Sequence, residues 1–165
     1  MLYKEILLEL EKKGVKYLLI GGIAVNFYGH PRATKDLDLM VSFEKSNMDK
    51  FLEIIKSFGL KPRVPVEPEE LADKDKREFW KKEKNMKVFS FYNPENDLEI
   101  IDIMIQDYLD FDKAYLKKET VSDTNLSVSM VSIDDLIKLK ELANRPRDRE
   151  DIEVLKKLKE LRYER

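Results

Sequence analysis

Residues 21–41 read GGIAVNFYGHPRATKDLDLMV: two adjacent glycines and then, beyond a short loop, two aspartates set two apart in an apolar run. The preceding stretch, VKYLLI (15–20), is a continuous apolar run expected to be a buried strand that ends in a glycine turn. IAVNFYG (23–29) predicts a short helix stopped at Gly29, and HPRATK is the loop after it. DLDLMV (36–41) then alternates, with Asp36 and Asp38 on one side and Leu37 and Leu39 on the other. Side chains two apart on a strand project from the same face, so this strand presents two carboxylates together while its other face enters the core.

The same periodicities extend outward. Ile6, Leu7 and Leu10 stand at helical spacing before Gly14. Ser46 and Asp49 form a capping-box pattern ahead of a helix carrying Phe51, Leu52, Ile55 and Phe58, with Gly59 as its stop. Residues 61–85, rich in proline and charge, predict a surface excursion with a short helix near Arg77 to Lys82. MKVFSFY (86–92) and LEIIDIM (98–104) are expected to form a hairpin across the turn-rich NPEND. A helix is expected from Tyr108 towards Lys118, and SVSMV (127–131) reads as an edge strand or extended link. Ser132 and Asp135 open a further helix with Leu136, Leu139, Leu142 and Ala143 on its apolar side. Pro146 interrupts, and Ile152, Leu155, Leu158 and Leu161 mark a last helix. The chain is thus of the α/β (α+β) class, a mixed sheet with flanking helices in one domain over 1–165, with 132–163 a helical part packed on it.

Composition narrows the function. With 31 basic and 33 acidic side chains the formal charge is −2, which provides no global attraction to nucleic acid or an anionic membrane, although a local basic patch remains compatible with it. The absence of cysteine excludes disulfides and thiolate metal ligands. The charged start MLYKEILLELEKKG does not suit a signal peptide, and no 18-residue apolar run occurs, so a cytoplasmic protein without a membrane partner is expected.

Two carboxylates on one strand face repel each other unless water, a basic group or a cation compensates. Hard oxygen ligands of this kind suit magnesium or manganese. Asp102, isolated among apolar residues in IIDIM, is the expected third member; Glu99 has the wrong parity, and Asp97 and Asp107 lie at the strand ends. Three carboxylates on adjacent strands can hold two metal ions about 4 Å apart, one beside an attacking hydroxyl and one on a phosphate chain. Gly21 and Gly22, lacking Cβ atoms, let backbone amides approach phosphate oxygens from the other side.

GG after an apolar strand, RATKDLDLMV, and a lone strand aspartate in IDIM together resemble the nucleotidyltransferase superfamily of DNA polymerase beta-like fold, and most closely its small AbiEii-like group. SIDDLIKLKELANRPRDREDIEVL (132–155) resembles that group's C-terminal helices. The resemblance implies a divalent metal and transfer of a nucleoside monophosphate from a nucleoside triphosphate such as ATP to an acceptor, with release of pyrophosphate. By motif match Asp36, Asp38 and Asp102 take the metal-ligand and catalytic places, Gly21 and Gly22 the phosphate-loop place, and Lys140 that of a lysine facing the nucleotide. Many members carry a serine where this chain has Gly22, so a hydroxyl available to the phosphates is missing there.

Arg32 is assigned to phosphate on its chemistry, since a guanidinium holds phosphate as a fork. His30, the one histidine, sits before a proline and is read as structural rather than as a base; Lys35 is read as solvated and Thr34 as a local hydrogen-bonding turn residue. Trp80 and Phe79 are expected to cap the core; Arg145 and Asp148 are further candidates for facing the nucleotide, and Asp148 and Asp151 can equally be paired with Arg145 and Arg147 as structural salt bridges. The acceptor can be a small hydroxylated compound, a protein side chain or an RNA end. A second reading is a catalytically silent nucleotide-binding or protein-interaction module on the same fold. The SVSMV edge and the apolar first helix are the grounds for a possible homodimer.

Overall fold

Seven strands form one mixed sheet in the order β3-β4-β5-β2-β1-β7-β6 in the computed structural model, which describes residues 2–165. The chain enters through α1 (Leu2–Lys12), whose Ile6, Leu7 and Leu10 are buried, and turns at Gly14 into β1 (Tyr17–Ile20). β1 is buried along its whole length and feeds directly into α2 (Gly21–Phe27). Both glycines therefore lie in the first turn of the helix, two residues earlier than the apolar pattern suggests.

β2 (Leu37–Val41) runs back antiparallel to β1, placing Ile20 opposite Asp38. Asp36 lies just before it. α3 (Lys45–Ser57) follows, then β3 (Lys61–Pro62), a 3-10 turn (Pro68–Ala72) and α4 (Lys74–Glu83). The excursion of residues 61–85 is thus ordered, held by Leu71 and Trp80 in the core; Trp80 lies against Phe89 with ring centroids 5.1 Å apart, while Phe79 is exposed. α3 starts at Lys45 with no side-chain cap, so the Ser46/Asp49 capping box does not form; Asp49 instead pairs with Lys45 at 2.8 Å.

β4 (Val88–Asn93) and β5 (Asn96–Met104) make the expected hairpin, and β5 pairs parallel to β2 with Leu37, Asp38 and Leu39 opposite Ile101, Asp102 and Ile103. The leucine and isoleucine face is fully buried, as apolar residues of a half-covered strand must be. Phe91 of β4 meets Phe51 of α3 edge-on at 6.3 Å. α5 (Phe111–Leu116) leads into a second hairpin, β6 (Glu119–Asp123) and β7 (Leu126–Met130). β7 is not an edge: it lies between β1 and β6. With that strand covered on both sides and the apolar side of α1 already in the core, both grounds for a homodimer fall away.

α6 (Ile133–Ala143) begins at the Ser132 cap, whose hydroxyl accepts from Asp135 N at 3.2 Å, and ends with Asn144 in the left-handed region. Arg145 and Pro146 then start α7 (Pro146–Tyr163), packed against α6.

Asn47 ties the β2–α3 turn to the start of β1. Its amide donates to Lys16 O and Ser42 O at 3.1 and 2.9 Å, and its Oδ1 accepts from Lys16 N at 2.7 Å. Asn47→Ala strands these groups in a buried position and is expected to cost about 3 kcal/mol in urea unfolding; a loss under about 0.5 kcal/mol would show that water replaces the amide.

Candidate active site

The parallel register of β2 and β5 puts Asp38 directly opposite Asp102. Asp36, two residues before Asp38, stands near both: its charge raises the pKa of each. Asp38 is driven furthest, to about 7, first by burial and then by the Asp102 and Asp36 carboxylates; Arg145 and Lys140 pull it only part of the way back. Burial also raises Asp102, against the hydrogen bond donated by Ser90 Oγ to its Oδ1 at 2.5 Å. Ser90 faces Asp102 through the β4–β5 pairing, a contact with no local sequence signal. Among the described residues no ion pair reaches Asp36, Asp38 or Asp102, and no group of three or more His, Cys, Asp or Glu side chains is drawn up as a ready metal cage.

Gly21 stands against Asp38. Its φ is +68°, and a Cβ there would lie 2.6 Å from Asp38 Cγ, so the carboxylate occupies the space that any larger residue would fill. Gly22 has ordinary helical backbone; there a Cβ would meet Thr34 Oγ1 at 2.6 Å and Arg32 Nη2 at 3.1 Å. The gaps left by the two glycines are therefore filled by this chain's own side chains. Thr34 makes no local hydrogen bond of the kind expected of it among the described residues, whereas the backbone of Arg32 is bracketed by the Asn26 amide at 3.0 Å in both directions.

Behind the glycines lies a buried ion-pair cluster. Arg32 Nη2 meets Asp151 Oδ2 at 2.9 Å; Lys140 Nζ meets Asp151 at 2.8 Å and Asp148 at 3.3 Å; Arg145 Nε meets Asp148 at 2.9 Å. Lys140, Asp148 and Asp151 are each at most 3% exposed. Burial alone would raise the Asp148 carboxyl, but Arg145 and Lys140 outweigh it and hold it below its usual range. The motif match found Lys140, but the sequence offered Arg145 and Arg147 as the partners of Asp148 and Asp151, whereas Asp151 meets Arg32 and Lys140. The Arg32 partner is 119 residues away, beyond any spacing rule.

A cleft of roughly 180 Å³ opens between the carboxylates and α6. Gly21, Asp38, Asp102, Lys140 and Arg145 line its polar side, and Val88, Met104, Tyr108, Leu136, Leu139 and Ala143 its apolar side. His30 lies in the loop after α2 and is not part of this lining.

The family described as "Nucleotidyl transferase AbiEii toxin, Type IV TA system" matches residues 5–157. The chain belongs to the AbiEii nucleotidyltransferase family. Among solved structures, the lincosamide antibiotic adenylyltransferase LnuA superposes with a TM-score of 0.58 at 15% identity over 90% of each chain. The ANT(2")-Ia structure with adenylyl-2"-tobramycin gives 0.58 at 15%, over 98% of this chain and 92% of that one. An antigenic nucleotidyltransferase-like protein from Paracoccidioides brasiliensis gives 0.56 at 16%, over 92% and 74%. At these identities the likeness is one of fold. No curated protein matches the sequence.

Two expectations follow for this AbiEii-family site. Because the folded pKa of Asp38 is raised from 3.8 to about 7, the metal-free protein carries the associated stability in full below about pH 4 and loses it as pH rises towards 7 and beyond. Melting temperature without divalent cations is therefore expected to be higher at pH 5 than at pH 8, with Asp38→Asn flattening the difference; an unchanged slope in the variant would assign it to other groups. Asp151→Ala removes a shared counter-ion from the buried Arg32 and Lys140 and is expected to cost about 3–5 kcal/mol in urea unfolding, whereas a surface-like loss under about 1 kcal/mol would show that water enters the cluster.

Proposed function

We propose that this protein is a magnesium- or manganese-dependent nucleotidyltransferase that moves a nucleoside monophosphate from a nucleoside triphosphate to a hydroxyl acceptor. The observation that carries the reading is the carboxylate pair, Asp38 opposite Asp102 with Asp36 beside them, which no ion pair reaches among the described residues and whose charge Lys140 and Arg145 offset only in part. Hard, anionic oxygen donors, one of them pushed up to about 7 by burial and then by its neighbours' charge, suit a divalent cation, and the donor set contains no softer ligand. A cation held by Asp36, Asp38 and Asp102 would neutralise their charge and stabilise charge developing on the transferred phosphate.

The chain's own residues divide the remaining work. Amides of Gly21 and Gly22 receive the triphosphate, and Lys140 and Arg145 offer positive charge from the cleft wall. Arg32 adds its charge beside Gly22 while its Nη2 stays with Asp151. The apolar side of the cleft takes the base. The acceptor oxygen bonds to the α-phosphorus as the bond to the bridging oxygen breaks; pyrophosphate leaves with the electron pair, and Asp102 accepts the hydroxyl proton. The acceptor is a small hydroxylated compound, a protein side chain or an RNA end. Among the described residues no helix is long and apolar enough to cross a membrane, and the reading places the protein in the cytoplasm.

One observation favours a second reading, a silent nucleotide-binding or protein-interaction module: Arg32 and Lys140 are both engaged by Asp151, as in a site whose charges are satisfied internally. Incubation with each labelled nucleoside triphosphate, magnesium and total RNA or metabolite extract separates the two. Label transfer supports the enzyme; tight nucleotide binding without transfer to any acceptor supports the module. In the enzyme, Asp102→Asn is expected to lower product formation at least about 100-fold, or roughly 2.7 kcal/mol of transition-state stabilisation, with a much smaller change in nucleotide affinity by calorimetry. Equal rates in variant and parent would remove Asp102 from the chemistry.

A further inference from the structure

Ser90 is held in one place by its neighbours. Phe89 and Phe91 on either side of it are fully buried, their ring centroids 5.1 Å apart, so strand alternation turns Ser90 to the opposite face of the sheet, where the aspartates stand. β4 lies between β3 and β5. On the β5 side Ser90 is paired with Asp102, and on the β3 side its carbonyl accepts from Arg63 N at 2.9 Å. The backbone beneath the hydroxyl is therefore fixed from both flanks, and Ser90 Oγ meets Asp102 Oδ1 at 2.5 Å. Val88 and Tyr92 share this face of β4, so the face itself does not demand a small polar residue; the hydroxyl is matched to Asp102.

This contact sets Asp102 apart from the other two acids. Among the described residues it is the one member of the trio to which a side chain donates a hydrogen bond. Its Oδ2 accepts none there and is not one of the buried polar atoms lacking a partner, so it is open to the cleft that Asp102 lines. The terminal torsion of an aspartate is broad and roughly two-fold, and a carboxylate without a donor samples a wide range of planes. A donor on Oδ1 narrows that range and leaves Oδ2 as the oxygen presented to the cleft.

We propose that Ser90 is a positioning residue, whose hydroxyl fixes the plane of the Asp102 carboxylate and so reserves Oδ2 for the divalent cation and the acceptor hydroxyl. This rests on the nucleotidyltransferase reading and adds a residue to it. Ser90 touches neither substrate nor cation; it acts through Asp102, as groups that hold a metal-binding side chain in place do.

Manganese binding to the nucleotide-free protein, read by electron paramagnetic resonance, tests the role without any acceptor. Ser90→Ala removes the hydroxyl and is expected to weaken manganese affinity about 10-fold. The same variant is expected to move the metal-free melting temperature by less than roughly 4 °C, since one hydrogen bond is lost and no cavity of consequence is opened. Ser90→Thr keeps the hydroxyl and is expected to bind manganese within about twofold of the parent. In the label-transfer assay Ser90→Ala is expected to lower kcat about 10-fold while the nucleotide KM stays within about twofold, a split that loss of general stability would not produce. Manganese affinity in Ser90→Ala within about twofold of the parent, or a loss that Ser90→Thr shares in full, overturns the assignment. A parent that binds manganese and nucleotide but transfers to no acceptor fails the enzyme reading, and the manganese series still decides whether Ser90 positions Asp102. A parent that binds no manganese removes the cation and this role with it.

Discussion

The parallel pairing of β2 with β5 is the constraint on which the site depends. It aligns Leu37 and Leu39 with Ile101 and Ile103 on the buried face, and the same register necessarily aligns Asp38 with Asp102 on the other. A slip of one residue would turn one strand's aspartate into the core and its apolar residues out of it, so the hydrophobic effect that fixes the register also forces two like charges together. The strain is held on the same backbone that stabilises the fold. Gly21 completes the arrangement, since only a residue without Cβ leaves room for the Asp38 carboxylate.

The opposing charge comes from the C-terminal helices. Lys140 and Arg145 line the cleft and partly offset the raised Asp38 pKa, but each is itself tethered, to Asp151 and Asp148 or to Asp148 alone. Such tethering fixes where the positive charge acts: a lysine with four rotatable bonds would otherwise explore much of the cleft. The cluster uses buried charge less for net stability than for position, because desolvation consumes much of the Coulomb attraction.

The sheet and its acids were legible in the sequence because their information is local. Alternation in DLDLMV, the isolation of Asp102 and the glycine pair each follow from a few neighbouring residues. The β6–β7 hairpin was half seen, since Glu119–Asp123 has polar residues along most of an edge strand and no core face to mark it. The Ser46/Asp49 pattern matched a capping box without forming one, because α3 begins before Ser46. Arg32 with Asp151, and Ser90 with Asp102, come together only through tertiary packing. Gly22 reads in the sequence as a missing hydroxyl; the filling of that space by Thr34 is visible only in three dimensions.

The Arg32–Asp151 pair also sets an order of events in synthesis and folding. Its two ends are separated by 119 residues, and Asp151 lies on α7, which is synthesised after every strand of the sheet. Until α7 docks, the Asn26 amide can hold the Arg32 backbone but the Arg32 guanidinium has no buried counter-ion, so a nascent chain that has already built β1, α2 and β2 still cannot complete the wall behind the glycines. Contacts of such separation slow folding, but here they make the assembled cleft depend on synthesis through α7: a fragment released before α6 would carry the three aspartates without the Lys140 and Arg145 charges that face them.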